Sequence, residues 1–103
     1  MRRIARIDAN QHEVVDVFRR MGFSVLFLHQ VGGGCPDILI AKNWQSYLVE
    51  IKDGKKSPSK RKLTIDQEKF HETWNGDIFI VESVEEAISL AHELEEASWD
   101  RKR

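Results

Sequence analysis

Apolar side chains recur at helical spacing near the start of the chain. Val14 and Phe18 lie four residues apart, with further apolar positions on the same side, which predicts a helix over residues 10–21. Asn10 is a suitable N-cap because its side chain can accept a hydrogen bond from a free amide of the first turn. Gly22 can adopt the left-handed conformation that ends a helix, so we expect the helix to stop there.

Two further helices are predicted from capping boxes, in which a Ser or Thr and a residue three positions later satisfy each other's backbone amides. Thr64 and Gln67 form the first such pair, and the helix that they open is expected to end near Trp74. Ser83 and Glu86 form the second pair, ahead of an apolar face with helical spacing. A third helix is therefore predicted to begin after Ser83.

Four short apolar and β-branched segments predict strands over residues 23–29, 37–41, 46–52 and 78–81. Residues 42–45, between the second and third segments, are few enough for a hairpin. The predicted order of elements is αβββαβα. This order favours an α/β fold, with a small mixed β-sheet flanked by helices.

Composition narrows the class of protein. With 41% hydrophobic and 32% charged residues among 103, the chain has ordinary globular values, and we expect one domain over residues 1–103. No apolar run approaches the roughly 18 residues of a membrane span, so no membrane anchor is indicated and a cytoplasmic location is expected. Cys35 is the only cysteine, which excludes an intramolecular disulfide, and the histidines form no zinc-site pattern with it.

Charge is segregated along the chain although the net charge is only −1. Residues 52–62, the basic segment, carry six cations and one anion, whereas residues 82–96 carry six glutamates and no lysine or arginine. A solvated loop and a nucleic-acid contact both account for such a segment. Under the second interpretation its nucleic-acid-binding residues are Lys55, Lys56, Lys60, Arg61 and Lys62.

Polar residues interrupt two of the predicted strands at matching positions. If Lys42 pairs with Gln45 across the hairpin, Asp37 lies opposite Glu50, and Lys52 shares their face of the sheet. Two like charges opposed across a ladder destabilise a sheet unless a cation lies between them. Either Lys52 is that cation, in a purely structural triad, or the acids bind a divalent ion such as Mg²⁺.

These residues resemble a nuclease signature. Pro36-Asp37, followed after twelve residues by Glu50-Ile51-Lys52, is similar to the PD-(D/E)xK motif of metal-dependent nucleases. The resemblance implies a restriction-endonuclease-like fold and hydrolysis of DNA with Mg²⁺ or Mn²⁺. It implies that Asp37, Glu50 and the Ile51 carbonyl hold the metal and that Lys52 is the catalytic lysine.

The surrounding segments resemble the VRR-NUC branch, the virus-type replication and repair nucleases, over about four fifths of the chain. By this resemblance Glu13 supports the metal from the first helix, with Asp16 or Asp8 as alternatives for the same role. Gln67 matches a glutamine on the helix that follows the core strands. Its place on the apolar stripe of that helix allows two roles, completion of the capping box or orientation of Lys52, a water or a phosphate.

The resemblance also implies partners and a setting. Stand-alone members are typically viral or mobile-element homodimers that act on branched DNA such as four-way junctions, which implies a bacterial or phage-infected cell. We expect the dimer to form near the first helix or the hairpin that carries Trp44, so that the basic segment stays free for DNA. The alternatives are a non-catalytic nucleic-acid-binding module that uses the basic segment and a protein-interaction domain that uses the acidic third helix.

Overall fold

A computed structural model describes the backbone of residues 8–102 and the side chains of residues 8–97. The helices are α1 Gln11–Arg20, α2 Ile65–Thr73 and α3 Val84–Lys102, with a short 3-10 turn at Pro58–Lys60. The strands are β1 Ser24–Phe27, β2 Ile38–Lys42, β3 Gln45–Ile51 and β4 Ile78–Val81. The predicted order αβββαβα is confirmed.

The four strands form one mixed sheet in the order β1-β2-β3-β4. β1, β2 and β3 are antiparallel neighbours, and β4 joins β3 in parallel after the crossover that contains α2. The predicted register is also confirmed, since Lys42 pairs with Gln45 and Ile38 with Val49. Asn43 and Trp44 form the turn with φ angles of 53° and 66°, the left-handed values that a tight two-residue hairpin of this twist requires.

The main core lies between one face of the sheet and the pair α1 and α3. Alternate strand residues point into it, as the two-residue period of a strand requires. Its buried members include Ile38, Ile40, Val49, Ile51 and Val81 from the sheet, and Val14, Phe18, Ala91 and Leu94 from the helices. Glu50 and Lys52 point to the opposite face, toward α2, yet both are buried. The fold therefore buries two ionisable side chains on the α2 side of the sheet.

Asn10 differs from its predicted role. Its side chain makes no capping hydrogen bond to α1. Instead Asn10 Nδ2 donates to the backbone carbonyls of Lys52, at 3.0 Å, and Glu82, at 3.1 Å. Lys52 and Glu82 are the residues that directly follow the adjacent parallel strands β3 and β4. Two backbone acceptors at the ends of these strands therefore bind one side-chain amide. Asn10 thus fastens the start of α1 to the sheet end that carries Lys52.

The capping boxes are confirmed with one difference in detail. Thr64 and Gln67 form the complete reciprocal box at the start of α2. At α3, Ser83 Oγ accepts from the Glu86 amide, while the Glu86 carboxylate accepts from the amide of Glu82 rather than that of Ser83. Within residues 8–102, no helix is both long and apolar enough to cross a membrane.

Candidate active site at one end of the sheet

The start of β2 and the ends of β3 and β4 lie at the same end of the sheet. Asp37 immediately precedes β2, Glu50 lies near the end of β3 and Lys52 follows β3. Because β2 and β3 are antiparallel, residues just before one strand face residues at the end of the other. The first turn of α2 adds Gln67 to the same place, through its contacts with Lys52 and Glu50.

The carboxyl groups of Asp37 and Glu50 lie together beneath the surface. The Ile51 amide donates to Asp37 Oδ2 at 2.6 Å, and the two carboxyl groups are within hydrogen-bonding reach of each other, a contact that requires a proton on one of them. Glu50 is only 2% exposed. Its Oε1 atom is buried and receives no hydrogen bond from an N–H or O–H of the described residues. A shared proton or a bound cation is needed to satisfy that oxygen.

Burial, and after it the neighbouring Asp37 carboxyl, raises the pKa of Glu50 to about 9, while the Lys52 ammonium opposes the shift. At neutral pH the metal-free pair therefore retains a proton. A divalent cation bound by both carboxyl groups would replace it, because metal ligands must be deprotonated. Without a metal, the Asp37–Glu50 pair therefore holds a proton beside Lys52, and Glu50 and Lys52 do not form a simple ion pair.

The shift in the pKa of Glu50 makes the stability of the metal-free protein depend on pH. The folded state keeps a proton that the unfolded chain releases, so the stability from this group is highest below about pH 4.5 and falls as pH rises through about 9. We expect the thermal unfolding midpoint of the metal-free protein to fall over that range. Glu50→Gln should flatten the slope and raise the midpoint at pH 8, and an unchanged slope would contradict the assignment.

Lys52 is held by groups on two elements. Its Nζ donates to Gln67 Oε1 at 2.9 Å and lies 3.8 Å from Glu50 Oε2. Gln67 Nε2 donates to the same Glu50 oxygen at 3.3 Å. Gln67 Oε1 also accepts from the Thr64 amide at 2.9 Å, so the capping box and the bridge to Lys52 exist together. Gln67 therefore completes the box and orients Lys52 with one side chain.

The described residues contain no group of three or more His, Cys, Asp and Glu side chains arranged to hold a metal ion. A cation at this place would depend on the Asp37 and Glu50 carboxylates with backbone oxygen and water. The Ile51 side chain is wholly buried in the core, so only its backbone is available to the site. The residues fit a hard cation that keeps most of its water ligands, as Mg²⁺ does.

The first-helix acids do not all face the pair. Glu13 is exposed and lines a cavity of about 600 Å³ beside the start of α3, with Glu82 and Arg61 among its other lining residues. Asp16 pairs with the exposed His12 across one helical turn, at 3.6 Å. Asp8, just before α1, is the acid whose charge acts on Glu50 and helps to raise its pKa. Glu13 thus faces a cavity that neither Asp37 nor Glu50 lines, whereas Asp8 acts on Glu50 through its charge.

The basic segment divides into paired and unpaired cations. Arg61 donates to Glu82 Oε2 at 2.7 Å and is half-buried, and Lys56 lies 3.6 Å from Asp8. Lys55, Lys60 and Lys62 are exposed and form no ion pair with a described residue. The exposed lysines are therefore the members of the segment whose charge is most available to a polyanion.

His71 is a neighbour of the site that the sequence patterns did not predict. It lies one helical turn after Gln67, so it shares the α2 face that meets Lys52. Burial and the Lys52 charge lower the pKa of His71, and its Nε2 is buried without a hydrogen-bond partner among the described residues. The four-residue spacing from Gln67 is the signal that could have identified it.

Cys35 and Trp44 lie in contrasting environments. Burial raises the pKa of the Cys35 thiol, with Glu50 and Asp37 adding to the shift, so the thiol is a poor nucleophile. Trp44 is 93% exposed at the hairpin turn, at the opposite end of β2 from Asp37. It is therefore remote from the two carboxyl groups along the sheet.

The structure defines an α/β domain in which two carboxyl groups, an ammonium group and a side-chain amide meet at one end of a mixed sheet. A solved structure of a VRR_NUC domain is similar, with a TM-score of 0.62 and 23% sequence identity over 82% of this chain and 97% of that chain. The chain thus has the VRR-NUC fold predicted from its motifs. No family model and no curated protein matches its sequence.

Proposed function

We propose that this protein is a metal-dependent endonuclease that hydrolyses DNA phosphodiester bonds. The observation that carries the proposal is the Asp37–Glu50 pair, with a buried and unpartnered Glu50 oxygen, beside the Lys52 ammonium. A purely structural triad could satisfy that oxygen only with a proton shared between the two carboxyl groups, whereas a bound divalent cation would satisfy both groups without one. Incubation of supercoiled plasmid with Mn²⁺ or Mg²⁺, with and without excess EDTA, tests the activity.

Asp37 and Glu50 would hold Mg²⁺ or Mn²⁺, with the Ile51 carbonyl as a backbone ligand. A bound divalent ion polarises a phosphate oxygen and makes a water ligand a better nucleophile. Asp8 takes the supporting role that the family resemblance suggested for Glu13, because its charge acts on Glu50. The raised pKa of Glu50 means that loading the site releases a proton, so metal affinity should increase with pH.

Lys52 would stabilise the negative charge that develops on the phosphate during hydrolysis. An ammonium group has three N–H donors, and Gln67 Oε1 occupies one of them. Glu50 attracts the same ammonium at 3.8 Å, which leaves donor capacity for a water or a phosphate oxygen. Because Gln67 and Glu50 restrict its position, Lys52 needs little reorganisation as charge accumulates.

Lys55, Lys60 and Lys62 would hold the DNA backbone. Replacing all three by Ala should weaken binding to every DNA and lower the slope of log affinity against log salt by about 0.7–0.9 for each phosphate that is no longer neutralised. Fluorescence anisotropy at several salt concentrations measures both quantities. Arg20→Ala, an exposed cation at the far end of α1, is the matched control and should leave the slope unchanged. Equal slopes for the triple variant and wild type would mean that the segment is only a solvated loop.

We further propose selectivity for branched DNA and assembly as a homodimer. One site cuts one strand, so paired incision of a four-way junction needs two sites related by a two-fold axis. Exposed Trp44, at the sheet end away from Asp37, is the candidate contact because it leaves the basic segment free. Sedimentation should give a dimer that Trp44→Ala weakens, with paired nicks on opposing junction strands. A monomer that cuts junction and duplex equally would remove this proposal and leave the nuclease assignment intact.

A further inference from the structure

Three consecutive glycines precede Pro36-Asp37, and all three have positive φ, at 76°, 63° and 81° for Gly32, Gly33 and Gly34. Their surroundings differ. A Cβ atom at Gly32 or Gly33 would meet nothing within 4 Å. A Cβ atom at Gly34 would overlap the Asp66 carbonyl and lie 2.8 Å from the Gln67 amide nitrogen. Gly34 therefore lies directly on the backbone of the first turn of α2.

The first turn of α2 carries Gln67, which contacts both Lys52 and Glu50. None of the nine residues of α2 is buried, so extensive core packing does not hold this helix in place. The close contact with Gly34 is then one of the few constraints on how near Gln67 lies to the sheet. The same loop carries Asp37, three residues after Gly34. The contact between Gly34 and α2 therefore connects the loop of Asp37 to the helix of Gln67.

We propose that Gly34 is a positioning residue that sets the location of Gln67 relative to Lys52 and Glu50. Any side chain at this position must push the first turn of α2 outward, because the atoms it meets are backbone and cannot turn aside. The displacement would lengthen the Lys52–Gln67 and Glu50–Gln67 hydrogen bonds. This inference rests on the proposed nuclease function for its kinetic consequence, but its geometric consequence is independent of activity.

Gly34→Ala and Gly33→Ala form a matched pair, since both place Ala at positive φ and only the first creates an overlap. We expect Gly34→Ala to lower kcat by about 10- to 100-fold with little change in KM, as small misplacements in an active site do. Gly33→Ala should stay within about twofold of wild type. Equal kcat values for the two variants would overturn the inference.

A double-mutant comparison separates positioning of Gln67 from general damage. If Gly34 acts through Gln67, then Gly34→Ala should lower kcat by less than about threefold when Gln67 is already Ala, because the effects of coupled sites are not additive. If kcat of the double variant instead falls by the product of the two single losses, Gly34 acts elsewhere and the inference fails. Thermal unfolding of all four proteins checks that the comparison is made between folded molecules.

Nuclear magnetic resonance tests the geometry without any cleavage assay. The wild-type protein should give a nuclear Overhauser effect between the Gly34 α protons and the Gln67 amide proton, and its absence would refute the contact even if Gly34→Ala does not fold. The side-chain amide resonances of Gln67 should shift in Gly34→Ala but not in Gly33→Ala. A wild type that shows the contact but never cuts DNA would refute the nuclease proposal alone.

Discussion

Asp37→Asn and Glu50→Gln are each expected to reduce DNA cleavage by more than about a thousandfold, because each removes a charged ligand and with it much of the electrostatic stabilisation of the transition state. Both changes keep the size and shape of the side chain, so packing should survive. In the metal-free protein at neutral pH, removal of one of the two neighbouring acids also reduces the free-energy cost of keeping a proton on Glu50. The variants should therefore melt no lower than wild type without metal.

Asp16→Asn is the matched control for these substitutions. Asp16 is an acid of α1 that pairs with the exposed His12, and it is not among the groups that shift the pKa of Glu50, so its loss should leave cleavage within about twofold. Initial rates on supercoiled plasmid in Mn²⁺ provide the comparison. Full activity of either Asp37→Asn or Glu50→Gln would refute the assignment of the metal site.

Lys52→Ala is expected to cost about 100- to 1000-fold in the rate of cleavage, the usual effect of removing one preorganised group that stabilises developing charge. Binding of DNA should be retained, because the exposed lysines of the basic segment remain. Lys52→Met keeps the buried aliphatic stem and should give a similar loss, which separates the effect of charge from that of packing.

Lys69→Ala is the control for Lys52, since Lys69 is an exposed lysine on α2. Single-turnover rates with saturating protein isolate the chemical step from binding. If Lys52→Met cleaves as fast as wild type, the ammonium has no part in the reaction. If both Lys52 variants instead lose DNA binding in proportion to activity, Lys52 is a binding residue.

The hairpin is the part of the site that the sequence determines most directly. Two strands joined by a two-residue turn have one register that keeps Ile38, Ile40 and Val49 on the buried face, because a one-residue slip would expose them all. That register brings Asp37 and Glu50 together, as predicted. The Thr64–Gln67 capping box is equally local, so the start of α2 was also predictable.

Contacts between distant segments could not be read from local patterns. Asn10 has the side chain of an N-cap, yet its partners are carbonyls 42 and 72 residues away. The family resemblance indicated Glu13, with Asp16 or Asp8 as alternatives. Helical periodicity could not distinguish these acids, because it carries no information on the path of the chain before α1, where Asp8 lies. A run of three glycines such as Gly32–Gly34 is typical of a flexible loop, whereas Gly34 contacts the backbone of α2 at Asp66 and Gln67.

Cleavage of supercoiled plasmid and of a synthetic four-way junction by the purified protein tests the central claim most directly. The reactions contain Mn²⁺, Mg²⁺ or excess EDTA, with Asp37→Asn run in parallel. We expect cleavage by wild type with either metal, none in EDTA and none by the variant. DNA that is bound but left intact under every metal condition would contradict the nuclease and favour a non-catalytic nucleic-acid-binding module.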